Sequence, residues 1–158
     1  MLKHRHQQQG LSIIEAMIAL LIISVGLLGI AGLQVTAMKQ NLSALYHSQA
    51  VWIASTMADR IRANITEFDT YKGVDTNTNY AQDCLSAECT TAQMVVADAA
   101  DWATMVSSLP SGRGRVVDDA DGVLVTVLWD DEGTGATGTN CSNNANVDLT
   151  CYTVVVSQ

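Results

Sequence analysis

The run from Leu11 to Leu33, LSIIEAMIALLIISVGLLGIAGL, decides more about this chain than any other segment. Thirteen of its 23 residues are Leu, Ile or Val, and Glu15 is its only charge. As a helix it would be about 35 Å long at ~1.5 Å per residue. That is enough for the ~30 Å hydrocarbon core of a bilayer. The thirteen aliphatic side chains favour insertion by about 4–8 kcal/mol, which exceeds the cost of one carboxyl group near the end of the span. A buried soluble helix would need a large surrounding core, and 158 residues do not supply one. A cleaved secretory signal has an apolar region of only ~7–15 residues.

Flanking charge sets the orientation. Lys3 and Arg5 precede the run, and the next basic residue is Lys39. The positive-inside rule puts the short N-terminus in the cytoplasm and exports everything after the span. All four cysteines, Cys84, Cys89, Cys141 and Cys151, lie in the exported part, which suits a disulfide-forming compartment such as a periplasm. Pairing Cys84 with Cys89 and Cys141 with Cys151 is the local choice among three connectivities. Zinc fits poorly, because no spacing is C-x-x-C and no histidine lies beyond His47.

Intramembrane ionisable residues are functional by default and need a partner. A basic leader ends in Gly10, the apolar run begins at once, and Glu15 stands at its fifth position. Cleavage after Gly10 would give Leu11 a free amine about 6 Å along the helix from Glu15. Between staggered neighbouring helices, amine and carboxylate can pair and neutralise each other in lipid.

This junction resembles the class III signal of type IV pilins and type II secretion pseudopilins. The resemblance implies cleavage by prepilin peptidase between Gly10 and Leu11, N-methylation of Leu11, and an assembly role for Glu15. The family usually carries Phe after the cut, where this chain has Leu11. The run IIEAMIALLIISVGLLGIAGLQ further resembles the type IV pilus modification protein, a PilV-type minor pilin. The helix proline common in major pilins is missing, and Gly26, Gly29 and Gly32 occupy that region. Glycines at this spacing suit close helix packing and weaken the helix by about 1 kcal/mol each.

No Gly or Pro falls between Gly32 and Gly73. Apolar residues at Val35, Met38, Leu42, Leu45, Trp52, Met57 and Ile61 therefore predict one helix from Leu11 to Asn64, with this stripe facing the exported domain. The polar segment 66–91 reads as a loop. A second helix is expected over Thr91–Leu109, with Met94, Trp102, Met105, Val106 and Leu109 facing inward and Pro110 and Gly112 stopping it. Strands are expected at Arg115–Val117, Val123–Trp129 and Cys151–Val156. The polar loop 130–148 should be exposed. The fold class is α+β and type IV pilin-like, a long N-terminal helix against a small antiparallel sheet. The divisions are a leader 1–10, a membrane and assembly half 11–33, a periplasmic half 34–64 and a globular domain 65–158.

Chemistry beyond assembly finds little support. The carboxylates at 118–121 and 130–132 lack the ligand spacing of an EF-hand, and no histidine of the exported domain can serve as a base. From Thr66 to Gln158 there are 14 acidic and 3 basic residues, so bare DNA should be repelled. No enzyme, cofactor, metal or direct nucleic-acid contact is expected. The resemblance implies prepilin peptidase, other minor and major pilins and the inner-membrane assembly platform as partners, with passage from inner membrane to pilus. It implies a non-enzymatic subunit that primes or caps the pilus. Two alternatives share parts of the sequence evidence: a minor pseudopilin of a type II secretion system, and a bitopic membrane protein with a ligand-binding periplasmic domain.

Overall fold

A computed structural model describes residues 12–142 and 144–157. The leader 1–10 and the Gly10–Leu11 junction lie outside them. The chain divides into two compact units, 1–41 and 42–158. Helix α1, Ile13–Ala63, runs through both. It is the one described helix long and apolar enough to cross a membrane.

In the first unit every described residue is exposed, including Ile13 and Leu28. The helix continues through Gly26, Gly29 and Gly32. Ser24 donates back to the Leu20 carbonyl at 2.7 Å and Thr36 to that of Gly32 at 3.1 Å. These hydroxyls are satisfied within the helix, as an apolar medium requires.

The second unit holds the core. After α1 come a 3₁₀ turn at Ile65–Glu67, a one-turn helix α2 at Phe68–Tyr71 and helix α3 at Thr91–Val106. Strands β1 (Arg113–Asp119), β2 (Gly122–Trp129) and β3 (Thr150–Val156) then form an antiparallel sheet in the order β1-β2-β3. This is the expected α+β architecture of a long helix with a small antiparallel sheet. The segment 66–91 is not all loop, because Phe68 and Tyr71 are buried and fold its start into a helical turn.

The inward stripes differ from expectation. On α1 the buried residues are Ala50, Ile53, Ala54, Met57, Ala58 and Ile61. Val35, Met38, Leu42, Leu45 and Trp52 are exposed. Small alanines let the helix pack closely, and this places the larger apolar residues on another face. On α3 the buried set is Val95, Asp98, Ala99, Trp102 and Val106, while Met94 is 40% exposed and Met105 only partly buried. The helix also ends at Val106, before Leu109. There the hydroxyls of Ser107 and Ser108 bond back to the carbonyls of Thr104 and Met105.

Trp102 anchors the core. Its indole N–H donates to the Ile53 carbonyl at 3.1 Å, and its ring lies so close to Gly114 that a Cβ there would approach within 2.5 Å. Val123, Val125, Val127 and Trp129 of β2 face this core together, as their alternation predicts. The other face of β2 is partly covered too. Leu128 packs with Ala136 and Leu149 in a second small cluster, so the loop 130–148 is not simply an exposed excursion. It folds back onto the sheet.

Candidate assembly site

Glu15 sits in the first turn of α1, where a carboxylate complements the positive end of the helix dipole. The Ser12 carbonyl accepts the amides of Glu15 at 3.0 Å and Ala16 at 3.2 Å, closing that turn. Glu15 is exposed, and so is every described residue from Ser12 to Leu42. A Cβ built on Gly26, Gly29 or Gly32 would meet no atom within 4 Å, so each presents bare backbone to its surroundings. Gly10 and Leu11 lie outside the described residues.

Within the second unit the outer face of α1 carries Leu42, Leu45 and Trp52, the last 62% exposed. The sequence reading placed these residues inward. The missed signal is a second phase: Ala50, Ile53, Ala54, Met57, Ala58 and Ile61 repeat at three and one, a stripe centred about 150° round the helix from Leu45 and Trp52.

The two disulfides shape loops of the second unit. Cys84 is bonded to Cys89 and Cys141 to Cys151. In the first loop Asp83 accepts the amide of Leu85 at 2.9 Å and the hydroxyl of Ser86 at 2.6 Å. These bonds, the Ser86 hydroxyl foremost, hold its carboxyl below the ordinary range. The second disulfide ties the loop 130–148 to β3. Within that loop Asp130 accepts the amides of Thr134 at 3.0 Å and Gly135 at 2.8 Å. Asp148 accepts the Ser142 hydroxyl and the Asn140 amide. Both carboxyls are held below their usual values, Asp130 chiefly by the Gly135 amide and Asp148 chiefly by Ser142. Asp131 takes the Ser43 hydroxyl at 2.6 Å and the Trp129 indole N–H at 3.0 Å, fixing the start of the loop to α1.

An acidic turn links β1 to β2, with Asp118 and Asp119 at the end of β1 and Asp121 in the turn itself. Lys72 neutralises part of it, at 2.9 Å from Asp118. Among the described residues no group of three or more His, Cys, Asp or Glu is placed to hold a metal. The carboxylates instead serve turns and ion pairs, and the arrangement as a whole offers surfaces for packing.

A family model described as Type IV pilin Tt1218 matches residues 32–100. A second, for the prokaryotic N-terminal methylation motif, matches residues 5–31. The two matches adjoin, the motif at the N-terminal end and the pilin match directly after it. Over these residues the chain is similar to a type IV pilin that carries the methylation motif. No curated protein and no solved structure matches it. Type IV pilins are structural subunits, not enzymes. The methylation motif implies processing by prepilin peptidase, and the family implies partners in pilus assembly. An apolar N-terminal helix behind such a motif fits a pilin anchored in the inner membrane.

Proposed function

We propose that this chain is a minor type IV pilin of the modification-protein kind, taking part in priming or capping the pilus. Prepilin peptidase cuts between Gly10 and Leu11 and methylates Leu11. The segment 11–33 then holds the subunit in the inner membrane, with the leader 1–10 on the cytoplasmic side. The periplasmic helix half 34–64 and the domain 65–158 lie on the other side, where the disulfides Cys84–Cys89 and Cys141–Cys151 are stable.

The observation that carries this reading is one carboxylate, Glu15, in the first turn of a helix whose described residues are exposed and apolar for some twenty positions. A carboxylate buried in lipid or in a helix bundle needs a positive partner. The N-terminal amine of a neighbouring subunit meets that need and sets the register between helices. The three glycines permit close approach, and the stripe Leu42, Leu45 and Trp52 extends the packing surface past the membrane segment.

Mass spectrometry of the membrane-derived protein should find a chain beginning at N-methyl-Leu11. An intact Met1 in peptidase-competent cells would falsify the processing. Glu15→Ala should leave cleavage in place and deplete the subunit from sheared pili at least tenfold, a loss of about 1.4 kcal/mol or more in incorporation. Normal recovery would refute the role of Glu15. Deletion of the gene should abolish piliation and leave protein secretion intact; the opposite pattern would make the subunit a pseudopilin.

A further inference from the structure

The two outer edges of the sheet are treated differently. The outer edge of β1 is covered: Gly73 donates to the Val116 carbonyl at 2.9 Å, Val116 to that of Val74 at 2.8 Å, and Thr76 to that of Gly114 at 3.0 Å. The outer edge of β3 has no such cover. Among the described residues, no hydrogen bond reaches the backbone of Thr150–Val156 apart from its pairing with β2. Exposed edges are normally defended by charge, proline, a bulge or shortness. Strand β3 reads TCYTVVV, seven residues with no charge, proline or glycine. Thr153 and Val155 are exposed.

The face beside this edge is apolar. By register Val117 lies opposite Leu124, and Leu124 opposite Val155. Val117 is 44% and Val155 51% exposed. The loop 130–148 covers the Leu128 end of this outer face and leaves the Leu124 end open. At that open end stands the acidic turn, because Val123 pairs with Val156 and Gly122 follows Asp121 directly.

We propose that the free edge of β3 takes up one extended strand of a different protein, apolar in alternate positions and basic at the end that lies toward the acidic turn. Main-chain hydrogen bonds to alternate residues of β3 give affinity, and the row Val117, Leu124 and Val155 selects an apolar side chain beside it. Charge selects against a second copy of this chain, whose exported domain is itself strongly acidic.

The test uses the full chain in detergent micelles and two nine-residue peptides of alternating Val and Thr, one ended in Lys and one in Glu. Hydrogen exchange of residues 150–156 is read by mass spectrometry. At ten times its dissociation constant the Lys peptide should slow exchange of the outward amides about tenfold, and the Glu peptide should not. Val155→Lys should abolish the protection, and Asp119→Asn with Asp121→Asn should weaken it; these side chains are exposed, so the fold stands in each variant. No protection by either peptide overturns the proposal. Equal protection by both overturns the partner's assigned charge. Protection that rises with protein concentration before peptide is added would give the edge to a second copy and overturn it also.

Discussion

At the scale of single residues, Asp98 is the most consequential side chain in the second unit. Arg60 reaches it at 2.7 Å and the Tyr71 hydroxyl at 2.5 Å, so one carboxylate joins α1, α2 and α3. Burial pushes the Tyr71 phenol up, and its bond to Asp98 adds to the shift. Burial disfavours the Arg60 charge, but the bonds to Asp98 and Asp101 outweigh this and hold its guanidinium up. Asp98→Ala leaves the Tyr71 hydroxyl without an acceptor and Arg60 with the exposed Asp101 alone. It should cost about 2–4 kcal/mol in urea unfolding, while Tyr71→Phe, which removes one bond and leaves the ion pair, should cost about 1 kcal/mol. Equal losses would show that the ion pair contributes nothing. This residue was not legible in the sequence, because an aspartate in an apolar-periodic helix reads as a solvent-facing position. Glu15 was legible for the opposite reason: an isolated charge in an otherwise apolar run stands out.

At the scale of elements, the sequence located what depends on local pattern. The alternation of β2 and the start of α3 at Thr91 needed no tertiary information. Thr90 and Gln93 form a reciprocal capping box there. What it misplaced depends on which of two apolar faces meets the domain, as on α1, and on long-range cover, as over Leu128. The loop 130–148 shows how a polar segment can be ordered: Asp130 and Asp148 each gather loop donors, and the disulfide Cys141–Cys151 ties the result to β3. Both carboxyl groups titrate below their unfolded values. Their contribution is therefore fully present above the ordinary carboxylate range near pH 4. It is lost as pH falls through their depressed values. Amide exchange at Thr134, Gly135 and Asn140 should accelerate on acidification below about pH 4, ahead of exchange in β2. Removing the disulfide with Cys141→Ser and Cys151→Ser should destabilise the unit by up to about 3 kcal/mol, given the ten-residue separation. It should also shift the acid opening to higher pH. Unchanged exchange at these amides down to pH 2 would mean that the carboxylates do not hold the loop.

At the scale of the molecule, hydrophobicity and charge are divided between the units. The chain is 48% hydrophobic with a net charge of −8. The apolar excess lies in residues 11–33, and the negative charge lies beyond residue 65. Every buried apolar side chain of the described residues falls at Ala50 or later, so no described residue before Leu42 contributes to the core. A chain begun at Leu42 should then be water-soluble, form both disulfides and unfold in one transition, whereas the full chain needs detergent. Its urea midpoint should match that of the full chain in micelles to within about 0.5 kcal/mol, because surface segments outside a core contribute little to its stability. Its residual apolar surface, Leu42, Leu45 and Trp52, should be visible as Trp52 fluorescence quenched by iodide, while Trp102 stays shielded. A truncated chain that precipitates or unfolds gradually would show that the apolar N-terminal half of α1 is needed to fold the domain.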